Sequence, residues 1–175
     1  MNDRTIEMFY AGKDVDRFRM EILSMGLCDL FLPASLVIER NGYGMAYDTA
    51  GCRNLMQLRN VSASTLIGCV CSILDKSNQA ARRYFFDGEY SLDPGVVFLK
   101  GKVPDAYLIY NRTTPRSRRE VLFDLSRILK LPNRDPEGDV FLEKACGVLQ
   151  DPGRSYFRIT HELKQIGTFA YREGK

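Results

Sequence analysis

Between residues 62 and 86 the side chains of Leu66, Ile67, Val70, Ile73, Leu74, Ala81, Tyr84 and Phe85 fall on one stripe at helical spacing. Ser62 or Ser64 can cap the start, and Asp87-Gly88 stops the pattern. A helix this long and this apolar has to be buried, so the remaining chain must wrap around it. Strand signals stand on both sides. Upstream, residues 5–10 read as a short strand, and residues 35–40 and 43–48 flank Asn41-Gly42, a two-residue turn that favours positive φ at both positions. Downstream, residues 96–99 and 106–110 form a second strand pair joined by residues 100–105.

The other segments are helical. Asp14 or Asp16 can cap a helix carrying Val15, Phe18, Ile22, Leu23 and Leu30, which Gly26 ends or bends. Thr114-Pro115 reads as the start of another, with Val121, Leu122, Leu125, Ile128 and Leu129 as its apolar face. Helices are also expected over residues 138–149 and 154–166, and residues 167–175 read as a loosely held tail. No linker rich in Pro, Gly or Ser divides the 175 residues, a length typical of one domain. The expectation is a single α+β domain. Residues 5–50 form a small strand-rich N-terminal part, packed on a helical C-terminal part at residues 52–166 that carries the second hairpin.

Several chemistries are excluded by composition. His161 is the only histidine, so mechanisms built on a histidine pair or a His-rich metal site are closed to this chain. Five cysteines, Cys28, Cys52, Cys69, Cys71 and Cys146, are an odd number without framework spacing, which reads as free thiols in a reducing compartment. Cys69 and Cys71 lie two apart on the long helix, about 200° around its axis, and cannot chelate one ion. The N-terminus has no apolar signal segment, and the longest apolar run is too short to span a bilayer. A cytoplasmic protein without a transmembrane segment is expected.

Two clusters invite a functional reading. Asp87, Glu89 and Asp93 place three carboxylates within seven residues, a possible metal or acid–base site for a hydrolase or nucleotidyl-type enzyme, or simply a solvated loop ahead of Pro94. The net charge is only +3, but it is unevenly spread. Arg112, Arg116, Arg118, Arg119, Arg127, Lys130 and Arg134 stand against Glu120 and Asp124, a local +5. On a helix, Arg116, Arg119, Arg127 and Lys130 project opposite the apolar stripe with Phe123 among them. Such a face suits an acidic partner or a nucleic-acid backbone. An exposed aromatic amid arginines marks a contact surface, and the small net charge argues against a dedicated nucleic-acid binder.

The order of elements, with a polar loop and a strand pair directly after a long buried helix, resembles the protein kinase fold in reduced form. Residues 92–99 (Leu-Asp-Pro-Gly-Val-Val-Phe-Leu) look like the segment after a kinase catalytic helix, and residues 106–111 like the strand leading to its metal-binding motif. The chain also resembles an uncharacterised Gram-positive bacterial domain commonly found before a forkhead-associated (FHA) domain. That likeness rests on residues 31–48, on Leu92-Asp93-Pro94 and on the closing helices. In outline it is similar to the pseudokinase part of type VII secretion components.

The kinase resemblance implies missing chemistry. Phosphoryl transfer needs an Asp to orient the acceptor, an Asn and a second Asp for Mg²⁺, and a strand Lys on the phosphates. If Pro94 matches the proline of the catalytic loop, Ser91 stands at the first Asp, Val96 at the Asn and Tyr110 at the metal-binding Asp. Asn41-Gly42-Tyr43-Gly44 lacks the third glycine of a phosphate-covering loop. The resemblance therefore implies a non-catalytic, pseudokinase-like binding or scaffolding module in signalling or secretion, with a protein partner. No catalytic, cofactor-binding or metal-ligating residue is assigned. The candidate partner surface is Arg116, Arg119, Phe123, Arg127 and Lys130.

Overall fold

The computed structural model describes residues 5–12, 15–101 and 104–173. Its first sheet is antiparallel in the order β1-β3-β2, made from β1 (Thr5–Ala11), β2 (Ala34–Glu39) and β3 (Gly42–Asp48). Ile6, Met8 and Tyr10 of β1 face inward while Thr5, Glu7 and Phe9 face out, the period of two that a half-buried strand requires. Between β1 and β2, α1 (Arg17–Ser24) is capped by Asp16, whose carboxylate accepts from the Arg19 N–H at 2.8 Å. Gly26, at φ +64°, closes it. Asp14, the other expected cap, lies outside the described residues. Phe18 is more than half exposed, contrary to the expected apolar face, whereas Met20, Ile22 and Leu23 are buried.

The hairpin forms, but its turn is shifted by one residue. Glu39 pairs with Gly42, so Arg40 and Asn41 make the bend, and neither Asn41 nor Gly42 has a positive φ. Gly42 is needed for another reason. A Cβ there would fall on the carbonyl oxygen of Tyr10 in β1, so the glycine lets β1 and β3 close.

A second antiparallel sheet has the order β4-β5-β6, from β4 (Cys52–Asn54), β5 (Val97–Lys100) and β6 (Asp105–Leu108). The three residues of β4 are too few to carry a periodic signal. The two sheets are joined by residues 30–32. Leu108 donates to the Leu30 carbonyl at 2.8 Å, and Leu32 donates back to that of Leu108 at 2.9 Å.

The central helix α2 (Ala63–Ala81) is capped by Ser62 and buries Leu66, Ile67, Val70, Ile73 and Leu74. Each such side chain contributes roughly 1.5–3 kcal/mol relative to exposure. α2 packs against β6 and against α3 (Arg118–Leu129), α4 (Asp139–Leu149) and α5 (Tyr156–Glu173). It ends five residues before Phe86. The chain turns there through Tyr84 at φ +65°, a conformation costing a non-glycine residue about 1 kcal/mol or more.

Two expectations for the C-terminal part need correcting. α3 starts at Arg118 under the cap of Ser117, not under Thr114, because Ser117 and Glu120 form a reciprocal capping box that Thr114 has no partner to make. Residues 167–173 are not a loose tail. α5 continues to Glu173, with Ala170 buried and Gly167 close against Ile67 of α2. Among the described residues no helix is long and apolar enough to cross a membrane. The expected class, α+β with a small strand-rich N-terminal part and a helical C-terminal part that carries the second strand pair, is the one observed.

Candidate functional site

The three positions that the kinase resemblance empties lie where the two halves meet. Ser91 is tied into its own turn, donating its N–H to the Asn111 carbonyl at 2.7 Å while its hydroxyl accepts from Asp93. Val96 lies in a single 3-10 turn at residues 94–96, where Asp93 accepts from the Gly95 N–H at 2.8 Å. Tyr110 is fully buried. Its ring packs edge-on against Phe31 and Phe85 at 5.4 and 5.3 Å between centroids, and Tyr90 meets Phe31 at 5.4 Å. Aromatic side chains thus fill the space around the position equated with a metal-binding Asp.

Main-chain bonds close the same region. Thr113 donates to Glu89 at 2.9 Å and Arg116 donates to Gly88 at 3.2 Å, so the loop after α2 and the segment after β6 run zipped together. Gly88, at φ +88°, permits this, since a Cβ would stand 2.5 Å from the Arg116 carbonyl. From the N-terminal sheet, the Tyr10 hydroxyl reaches the Tyr110 carbonyl and lies 2.9 Å from the Tyr47 hydroxyl. Burial pushes Tyr10 up to about 12 and raises Tyr47 and Tyr110 as well, with Arg19 opposing the rise at Tyr110. These phenols are neutral across the physiological range. A cleft of about 530 Å³ remains beside Tyr110, lined by Phe9, Tyr10, Val15, Asn111, Arg112 and Thr113 among others. Among the described residues that line it there is no carboxylate.

The carboxylates read from the sequence do not converge. Asp87 accepts from the Tyr156 hydroxyl on α5, Glu89 pairs with Arg19 of α1 at 2.9 Å, and Asp93 caps its turn with Arg127 at 3.7 Å. Among the described residues no group of three His, Cys, Asp or Glu side chains is placed to hold a metal ion. His161 is exposed on α5, and its ring nitrogen lies 3.1 Å from the amide of Gln165. Four of the five free cysteines are buried, and burial raises Cys28 to about 11 and Cys69 and Cys71 to about 12.

The basic surface divides into two sets. Arg116 precedes the helix, is only 20% exposed, and is held by Asp124 and by the Tyr90 carbonyl at 2.8 Å. It fastens α3 to the loop after α2. Arg118 donates to the Arg154 carbonyl and stacks 4.2 Å above the Tyr156 ring, and Arg134 pairs with Asp139 at 2.7 Å. Arg127 is half exposed, between Asp93 and Asp124. Arg119 and Lys130 are exposed and enter no ion pair among the described residues, and Phe123 is 64% exposed beside them. Next to this stripe Met56, Asp93, Pro94, Arg127, Lys130, Leu131 and Pro132 line a pocket of about 320 Å³. The outward face is therefore Arg119, Phe123, Arg127 and Lys130, without Arg116. Arg19 and the tyrosine cluster were missed by sequence reasoning, because nothing local marks side chains whose partners Glu89, Tyr47 and Tyr110 are brought to them only by the fold.

The arrangement defines an α+β domain in which a three-stranded sheet and one helix lead into a second small sheet and four helices. Among solved structures it is similar to the cytoplasmic fragment of ESSB from Staphylococcus aureus, with a TM-score of 0.51 and 12% sequence identity, covering 97% of this chain and 99% of the fragment. At that identity the likeness shows the fold. No family model matches the chain, and no curated protein matches it in sequence.

Proposed function

We propose that this chain is a non-catalytic, pseudokinase-like binding or scaffolding module of a bacterial secretion apparatus, acting on the cytoplasmic side through a protein partner. The observation that carries the reading is the buried Tyr110, with Phe31, Phe85 and Tyr90 packed where the kinase resemblance would place a metal-binding carboxylate. Ser91 and Val96 agree with it, since neither carries the carboxylate or carboxamide that kinases use at the matched positions. The likeness to a cytoplasmic ESSB fragment agrees with the outline similarity to the pseudokinase part of type VII secretion components. The signalling role and the FHA-associated relatives remain part of the proposal on that sequence resemblance alone. The partner face is Arg119, Phe123, Arg127 and Lys130, an aromatic among cations of the kind enriched at protein contacts.

Thermal unfolding with and without ATP and Mg²⁺, alongside a phosphate-transfer assay, tests the reading. No turnover is expected, and no stabilisation beyond that given by Mg²⁺ alone. Clear phosphate transfer overturns it.

A further inference from the structure

The end of α2 carries a feature that folding alone does not require. Phe85 donates its N–H to the Ala80 carbonyl at 3.1 Å and Tyr84 donates to that of Ala81 at 3.2 Å. This bond pair is the Schellman termination, and it places Tyr84 at the left-handed position that glycine normally fills. Phe85 supplies the buried contact of the motif and is fully enclosed. Tyr84 is turned outward and is 55% exposed. Its ring meets that of Phe18 edge-on at 5.5 Å, and Phe18 is 55% exposed as well. Arg82 and Arg83 come just before it, both exposed and in no ion pair among the described residues. Arg17, by contrast, is neutralised by Glu21 at 2.7 Å.

The strain at Tyr84 is not repaid by burial, and a glycine would terminate the helix without it. Tyr and Arg are the residue types that dominate binding hot spots, and a ring held out on a fixed backbone loses little freedom on binding. We propose that Tyr84, Phe18, Arg82 and Arg83 form a docking face for an acidic peptide segment of a partner. Its carboxylates meet the two arginines, and an aromatic or aliphatic side chain packs on the Tyr84–Phe18 pair. Charge complementarity selects this occupant. A second copy of the chain would bring this same net-basic patch against itself across a two-fold interface. The inference rests on the reading of the chain as a protein-binding module, and it adds a face on an element other than α3, as a scaffold joining two partners needs.

The test measures binding of two probes to the full chain, a glutamate-rich copolymer of glutamate and tyrosine, and polyglutamate of equal length. The copolymer is expected to bind more tightly. Tyr84→Gly is expected to weaken it several-fold without lowering the melting temperature, and the Arg82→Glu, Arg83→Glu double variant by about tenfold or more. Phe18→Ala, which leaves α2 untouched, serves as the independent second variant and is expected to weaken the copolymer alone. Equal binding of both probes overturns the proposal, as does copolymer affinity unchanged by these variants or lost only in Arg119→Glu, Lys130→Glu. Binding to vesicles of phosphatidylglycerol and phosphatidylcholine that depends on Tyr84, without copolymer binding, overturns it in favour of a membrane surface. The phosphate-transfer assay separates the two readings. Turnover defeats the non-catalytic reading, whereas absent turnover with variant-insensitive binding defeats only this face.

Discussion

The Tyr10 hydroxyl donates a hydrogen bond to the main-chain carbonyl of Tyr110, one hundred residues further along the chain. That contact joins the first strand of one sheet to the segment leaving the other. It also fixes Tyr110 at the position where the kinase resemblance would place a metal ligand. Tyr10→Phe keeps the ring and removes the donor, leaving a buried carbonyl and the Tyr47 hydroxyl each short of a partner. The loss is expected to be about 1–3 kcal/mol, read as a lower urea midpoint at unchanged slope.

Stability is expected to fall steeply in alkali. Burial raises Cys28 from 9.0 to about 11, Cys69 and Cys71 from 9.0 to about 12, and Tyr10 from 10.0 to about 12. For an acid whose folded pKa exceeds its unfolded value, the unfolded chain releases the proton first. The contribution is complete below about pH 9 and drains away as pH rises towards 11–12. Each such group removes about 1.4 kcal/mol per pH unit within that window. Denaturation midpoints taken from pH 8 to 11 check this, and Cys69→Ala, Cys71→Ala should flatten the decline.

Much of the architecture was legible because it rests on local periodicity. Ser62, the stripe from Leu66 to Leu74 and the apolar face from Val121 to Leu129 are buried or capping as their spacing implied. What failed was competition between neighbouring signals. Ser117 displaced Thr114 as a cap because only Ser117 has Glu120 three residues on. Tyr84 falls on the helical stripe by its spacing, and no local rule would place a tyrosine in the left-handed position at a helix end. Of the candidate surface, Arg119, Phe123, Arg127 and Lys130 were legible from a helical projection. Arg116 projects with them by spacing, but the fold brings the Tyr90 carbonyl to it and, with Asp124, holds it inward.

Gly42 offers a sharper test of why a residue is where it is. Its requirement is proximity to Tyr10, not backbone freedom, so Gly42→Ala must push β1 away from β3. An expected loss of about 1–3 kcal/mol follows from such overpacking. Gly51 is the control. It has φ +73° and nothing within 4 Å of an added Cβ, so Gly51→Ala pays only the conformational cost of roughly 1 kcal/mol. If both variants shifted the midpoint equally while β1 amides kept their protection from hydrogen exchange, the proximity argument would fail.

The arginines around the start of α3 should separate into supports and contacts when removed one at a time. Arg116 is largely buried against Asp124 and donates to the Tyr90 carbonyl, so Arg116→Ala leaves a partly buried carboxylate with only the 3.6 Å approach of Arg127 and strips a donor from the loop after α2. A loss of about 1–3 kcal/mol is expected. Arg119 is exposed and in no ion pair among the described residues, so Arg119→Ala should stay within about 0.5 kcal/mol of the parent. Exposed charges that fold the protein would show the reverse ranking in a denaturant titration. If the expected ranking holds, Arg119 and Lys130 can be changed to Glu to probe partner binding with no confounding loss of fold.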